Sequence, residues 1–416
     1  MKNIRTYFIA ATVVALTFLS LKIFSLETEK RELKSDLIEL SDVKYGVFNV
    51  DEWKEILTTI FTKKIDEFEI AGKDRKEMRV KIKQLITDGI ADFKAGIKDR
   101  SLNSVKDFLM NSALSLNEEF DLIEEDIPAL TDRIMEIADD PNNKKLIKNI
   151  LINKLDGYAD STFAEMDYTV RDSLLLKYDQ TSVVSAKNVL QFQLNDLQDK
   201  SRTFKYMLLG LAILVASLMF LFKEMSRLEV ALLSVICSFF LVIGLFLPMI
   251  EIDARLANVS MTFMGEGISF QDQVLYFKSK SIVEVVTLML TQGGVDLLIV
   301  GILVFLFSVL FPWAKLISGV VLVFSSKLQD NKVLNFLVFK TGKWSMADVM
   351  VVAIFMAYIG FSGILTEQLD QIQGLSSKIE LLTTNESNLQ IGFYSFAMFA
   401  VLGLLLSGKV KRLIQK

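Results

Sequence analysis

Residues 295–324 read VDLLIVGILVFLFSVLFPWAKLISGVVLVF, an apolar run with Pro312 and Lys315 towards its end. A helix needs about 20 apolar residues to cross the hydrocarbon core of a bilayer, and this run exceeds that length. Working outward from it, five more stretches qualify: 7–26, 204–222, 229–250, 344–364 and 391–408. The chain of 416 residues is 51% hydrophobic and 23% charged, with a mean hydropathy of +0.39. That charge content suits a soluble domain but the hydropathy does not, so the apolar residues must be concentrated in spans. Residues 7–26 have an apolar core too long for a secretory signal and no small-residue cleavage site after it, so they read as an uncleaved anchor.

Composition removes most enzyme classes. With no histidine there is neither a Ser-His-Asp nor a Cys-His catalytic set, and no His-ligated metal. The single cysteine, Cys237, excludes an internal disulfide, a redox pair and a zinc ribbon. A net charge of −4 gives nucleic acid no overall attraction. No phosphate-binding Gly-x-x-x-x-Gly-Lys-Ser or -Thr loop is present. The expectation is a protein that is not an enzyme and has no cofactor or bound metal.

Basic residues give the orientation. Lys2, Arg5, Lys223, Arg227, Lys327, Lys332, Lys340, Lys343, Lys409, Lys411, Arg412 and Lys416 occupy one set of alternate short segments. The other set holds only Arg255, Lys278, Lys280 and Lys378. Both termini are therefore expected in the cytoplasm, with residues 27–203, 251–294 and 366–390 outside.

The fold class expected is all-α: a polytopic protein of six transmembrane helices, with a large helical extracytoplasmic domain inserted between the first two. Residues 1–26 form the anchor and 27–203 the external domain. Residues 204–227 are the second span with a short loop, and 228–416 a four-helix module with a basic tail. The external domain carries 36 acidic and 27 basic residues. Its apolar residues recur at helical spacing in 50–70 and 78–97, and Asp140-Pro141-Asn142-Asn143 marks a break. The acidic cluster between Glu118 and Asp126 lacks the alternation and glycine of a calcium loop, and a solvated helical face accounts for it. Residues 281–294 are amphipathic and suit the outer membrane interface.

Ionisable residues inside spans are costly and usually face protein or a water-filled cavity. Lys315 follows Phe311-Pro312-Trp313, where a proline kink is expected, and Asp348 lies in the first turns of 344–364. By the topology above they share a depth. Ser308 is seven residues before Lys315 and Ser345 three before Asp348, so each pair shares a helix face. The four groups converge on one pocket, or each has a plainer role. Lys315 then snorkels beside Trp313, Ser345 caps its helix and Asp348 complements the positive helix end.

The run Lys343-Trp344-Ser345-Met346-Ala347-Asp348-Val349, preceded by Phe311-Pro312-Trp313-Ala314-Lys315-Leu316 and by Phe246-Leu247-Pro248-Met249-Ile250 at the outer end of the third span, resembles the paraquat-inducible protein A family. The resemblance spans about residues 228–412. It implies a bacterial inner-membrane protein that works with MCE-type proteins to move phospholipid through the envelope. It also implies that Ser308, Lys315, Ser345 and Asp348 match polar positions inside the family's transmembrane module, with Ser395 of the final span completing the set. Better-known members carry two modules and zinc ribbons, whereas this chain has one module and one cysteine. The expected function is therefore phospholipid trafficking or envelope maintenance. The alternative is a membrane-anchored sensor or scaffold whose external domain binds a protein or ligand.

Overall fold

The computed structural model describes residues 2–42, 167–222, 224–263, 265–292, 294–329, 331–340, 379–385 and 387–414, with scattered positions between 45 and 153 and between 352 and 363. Two 39-residue helices dominate, α1 (Lys2–Leu40) and, after the short α2 (Thr169–Lys177), α3 (Val183–Leu221). At 1.5 Å per residue each is about 58 Å long, nearly twice a hydrocarbon core. Hydropathy placed boundaries near residues 26 and 204, but neither position carries a proline or glycine to stop a helix, and the backbone runs on without a break.

The pairing of α1 with α3 changes character along its length. Ile9, Leu16, Leu19 and Ile23 pack with Leu208, Ala212, Val215 and Met219 in the main apolar core. Beyond the hydropathy boundary a second cluster takes over, built from Leu37, Leu40, Leu174, Ala186, Leu190 and Leu194. The helices thus leave the bundle as an antiparallel stalk, crossed at its tip by α2. There Lys177 reaches Glu32 and Asp36, each at 2.7 Å, and the Tyr178 hydroxyl donates to Asp36 at 2.6 Å.

Next comes α4 (Arg227–Phe246), opened by a capping box in which Ser226 and Glu229 bond each other's backbone N–H. The segment beyond it differs from the helical reading. Residues Ile250–Phe263 (β1) and Glu266–Lys280 (β2) form an antiparallel hairpin, turned at Gly265 with φ +81°. On the other side of β1 lie β3 (Ile379–Asn385) and the short β4 (Asn388–Leu389). The architecture stays helical, but the loops expected here pair as a sheet. The cause is visible in Ile250-Glu251-Ile252-Asp253-Ala254-Arg255-Leu256, which alternates with period two.

The chain returns through α5 (Ile282–Gln292), the amphipathic segment, which packs on α4 and on α6 (Val295–Phe305). A π-helical turn, Leu306–Leu310, joins α6 to α7 (Phe311–Phe324), and α8 (Ile391–Ile414) closes the bundle. Among the described residues, five helical stretches are long and apolar enough to cross a membrane: 4–40, 183–221, 227–246, 295–324 and 391–414. The expected span 344–364 lies largely outside the described residues, as do the stretches 50–70 and 78–97. The acidic cluster 118–126 and the break at 140–143 lie wholly outside them.

α4 and α8 make the closest helix contact. A Cβ on Gly244 would stand 2.8 Å from the Phe396 Cβ, so the glycine is what lets the two backbones meet. Gly392 is pressed against the Leu247 and Pro248 carbonyls and donates its N–H to Pro248 at 3.0 Å. The entry of α8 is thereby fixed to the exit of α4, directly beneath the sheet.

Candidate polar site in the membrane module

The π turn sets the geometry around Lys315. The Phe311 N–H bonds the Leu306 carbonyl, five residues back. Pro312, in the first turn of α7, has no N–H to offer, so the Ser308 carbonyl lacks the partner an α-helix would give it. The irregularity in this stretch is a π turn that occupies 306–310, just before the proline. Ser308, Lys315 and Ser318 are all buried, so one face of this broken helix is polar and points into the bundle.

Lys315 reaches towards α8. Its Nζ lies 3.9 Å from where a Cβ on Gly403 would stand, an ordinary contact distance, so the ammonium group comes close to α8 at that glycine. Cys237 of α4 is fully buried within electrostatic reach of the same charge. Lys315 is 8% exposed, so it does not extend freely to water. A charge inside a spanning helix is costly unless it faces protein or a water-filled cavity, and the buried face that holds Lys315 meets the first condition.

Ser395 adds a second feature. It is fully buried in α8, and its hydroxyl has no hydrogen-bond partner among the described residues. An orphan of this kind costs about 1–3 kcal/mol. α6–α7 and α8 both run away from the sheet. Ser308 precedes Lys315 by seven residues and Ser395 precedes Gly403 by eight, each about 11 Å along its helix. The two serines therefore lie at similar depth, on the sheet side of the lysine. The structure brings Lys315 to α8 and buries Ser308, Ser395 and Pro312. Ser345 and Asp348 lie outside the described residues.

Sequence reasoning passed over Ser318, three residues after Lys315, although that spacing puts it on the same face. It also passed over Gly403, which nothing distinguished from other small residues until the lysine was placed against it. Glu229 was missed as a buried charge, yet Ser226-x-x-Glu229 ahead of an apolar run is a readable capping signal.

Two ion-pair groups tie the anchor helix to this module. At one end Arg5 of α1 binds Glu229 of α4 with two hydrogen bonds, and Lys409 of α8 donates to the Phe222 carbonyl at the end of α3. At the other end Lys34 of α1 pairs with Glu251 at 2.5 Å and Asp253 at 3.3 Å on β1. Asp253 in turn holds Arg255 bidentately, at 2.8 and 2.9 Å. Burial works against the Arg255 charge, but Asp253 and Asp272 outweigh it and hold the guanidinium more firmly protonated than usual. Arg31 of α1 pairs with Glu284 of α5 at 2.6 Å. Burial alone would raise the Glu284 pKa, but Arg31 and the Ser281 N–H bring it below the ordinary carboxylate range.

Comparison with known families adds one match: residues 274–370 fit the model of paraquat-inducible protein A. That stretch runs from β2 through Ser308 and Lys315 to beyond Asp348, within the resemblance read from the sequence. No curated protein and no solved structure matches the chain.

Proposed function

We propose that this multi-pass membrane protein, which carries a segment of the paraquat-inducible protein A family, passes phospholipid between the bacterial inner membrane and an extracytoplasmic partner of MCE type. It does so without catalysing a reaction. The observation that carries the reading is the buried Lys315, brought close to Gly403 of α8 with Ser308 on its own helix face. A buried ammonium group suits a phosphodiester, whose charge it would meet in a charge-assisted contact. Ser308 and the orphaned Ser395 hydroxyl would bond headgroup oxygens. Asp348 would orient Lys315 when no lipid is present, and Ser345 would line the same pocket.

In this proposal both termini face the cytoplasm, and the stalk, the sheet and residues 27–203 face the periplasm. Any driving energy comes from the partner or a proton gradient. The test is mass spectrometry of lipid retained by the purified full-length protein. Phospholipid is expected with the native chain and is expected to be lost with Lys315→Met; equal retention by both would overturn the reading.

A second reading draws on the two unbroken helices that run from the bundle into the stalk. They would carry a signal if the external domain were a sensor or scaffold. Removing residues 43–166 would then abolish a protein contact while leaving lipid retention intact.

A further inference from the structure

We infer that the base of the stalk holds a second phosphodiester site, formed by Lys30, Arg202 and Lys205 where α1 and α3 leave the apolar bundle beside α8. This site belongs to the anchor helices, outside the stretch that matches the family. It rests on the proposed function only for the leaflet it faces.

The site follows from how the charges are shared. Glu27 of α1 is buried at 4% exposure and accepts from the buried Ser201 hydroxyl of α3. It also pairs with Lys30 at 2.6 Å, so this carboxylate is already engaged. Lys205, one turn further along α3, is partly buried with its Nζ 4.0 Å from the centre of the Tyr394 ring of α8. Lys30 and Arg202 both act on it as like charges, and Glu27 is the carboxylate that acts on it as an opposite one. Lys30 thus pairs with this carboxylate, and Arg202 and Lys205 follow on α3, one residue and about one turn beyond the serine that donates to it. Arg202 is exposed, with its guanidinium carbon 5.9 Å from the centre of the Tyr206 ring, and brings a planar set of donors suited to phosphate.

The depth of this cluster points to lipid as the ligand. Phe24 and Phe204, its neighbours along the two helices, pack against the apolar core. Further along α3, Tyr206 and Ile213, seven residues apart and so on one helix face, are more than half exposed. A ligand with a phosphate at Lys205 and hydrocarbon lying along that face satisfies both halves of the surface. A free phosphate satisfies only the first, and the test separates the two sources.

The full-length protein would be placed in nanodiscs of phosphate-radiolabelled phosphatidylglycerol, with a photo-reactive phenylalanine at Tyr206 or, as control, at Met207, about 100° around the helix. Capture is expected severalfold higher at position 206. It should fall about tenfold with Lys205→Ala, the scale of losing one charge-assisted contact, and persist with Lys205→Arg. An excess of inorganic phosphate should leave it unchanged. Equal capture at both positions, indifferent to Lys205, would overturn the site and reduce the lysine to a snorkelling one. Displacement by inorganic phosphate would overturn the lipid assignment. Lys315→Ala is expected to leave capture at 206 intact, so this site and the one around Lys315 fail separately.

Discussion

Arg5 grips Glu229 through two parallel hydrogen bonds, Nε to Oε1 at 2.7 Å and Nη2 to Oε2 at 2.6 Å, and Glu229 has no solvent exposure at all. Thr6 adds a third bond to the same carboxylate at 3.1 Å, and the Phe222 ring lies 4.9 Å from the guanidinium carbon. One carboxylate therefore caps α4, holds α1 and neighbours the end of α3. An anchor that only tethered the chain would need none of this. The contact makes α1 a structural part of the module.

Breaking this pair on one side leaves a charge buried alone. Arg5→Ala is expected to destabilise the detergent-solubilised protein by about 3–5 kcal/mol, whereas Arg5→Met combined with Glu229→Met should recover most of that loss. Thermal unfolding of Arg5→Ala, of Arg5→Met and Glu229→Met singly, and of the double variant checks it; additive losses of the two methionine variants would show that the pair is not the connection.

The crossing of α4 and α8 depends on Gly244. Gly244→Ala forces a methyl group to 2.8 Å from the Phe396 Cβ, with backbone atoms 2.9 Å away, so the helices must part. A loss of about 1–3 kcal/mol is expected. Gly403→Ala should be mild by comparison, because its added Cβ meets Lys315 and Phe399 at 3.9 Å, an ordinary contact. Melting curves of both variants in the same detergent would rank them.

At the stalk tip, burial and the hydrogen bond to Asp36 push the Tyr178 hydroxyl up to about 12, and hydrogen bonds to Asp36 and Glu32 raise Lys177 as well. Both groups hold their protons more firmly in the folded chain than the ordinary values near 10. Their stabilisation is complete below that pH and is lost as pH rises through the raised values. Ultraviolet titration of the nine tyrosines should show one late phenol, absent in Tyr178→Phe. Asp36→Asn should move it to lower pH.

Arg31 and Glu284 join α1 to α5 across a partly exposed gap. Arg31→Ala is expected to cost about 0.2–1 kcal/mol, because water screens a pair of this exposure. Lys34→Ala should cost more, since it strips a cation from the buried Asp253 and from Glu251. Hydrogen exchange along β1 would rise in the second variant and change little in the first.

The spans were legible because a bilayer demands long apolar runs, and Lys315 stood out because few charges survive inside one. The burial of Ser308 followed from its spacing to Lys315. The sheet was missed although Glu251, Asp253 and Arg255 alternate with Ile250, Ile252, Ala254 and Leu256. A segment between two spans invites a reading as loop, and the pairing partner of β1 beyond the hairpin lies more than 100 residues away, at Ile379–Asn385. The full length of α1 and α3 was hidden for a different reason. Hydropathy marks where a helix leaves apolar surroundings, and that is not where its hydrogen bonds end. Gly403 was unreadable because only the fold brings it next to Lys315, 88 positions away in sequence.

The central claim is that Lys315 receives a phospholipid headgroup inside the bundle. It is tested most directly by photo-crosslinking in cells labelled with radioactive phosphate, with the probe at the buried Ser308 or, as control, at the exposed Leu310. Capture at 308 that disappears with Lys315→Ala, while capture at 310 stays constant, is the predicted result. Equal labelling at both positions, unaffected by Lys315, would contradict the account.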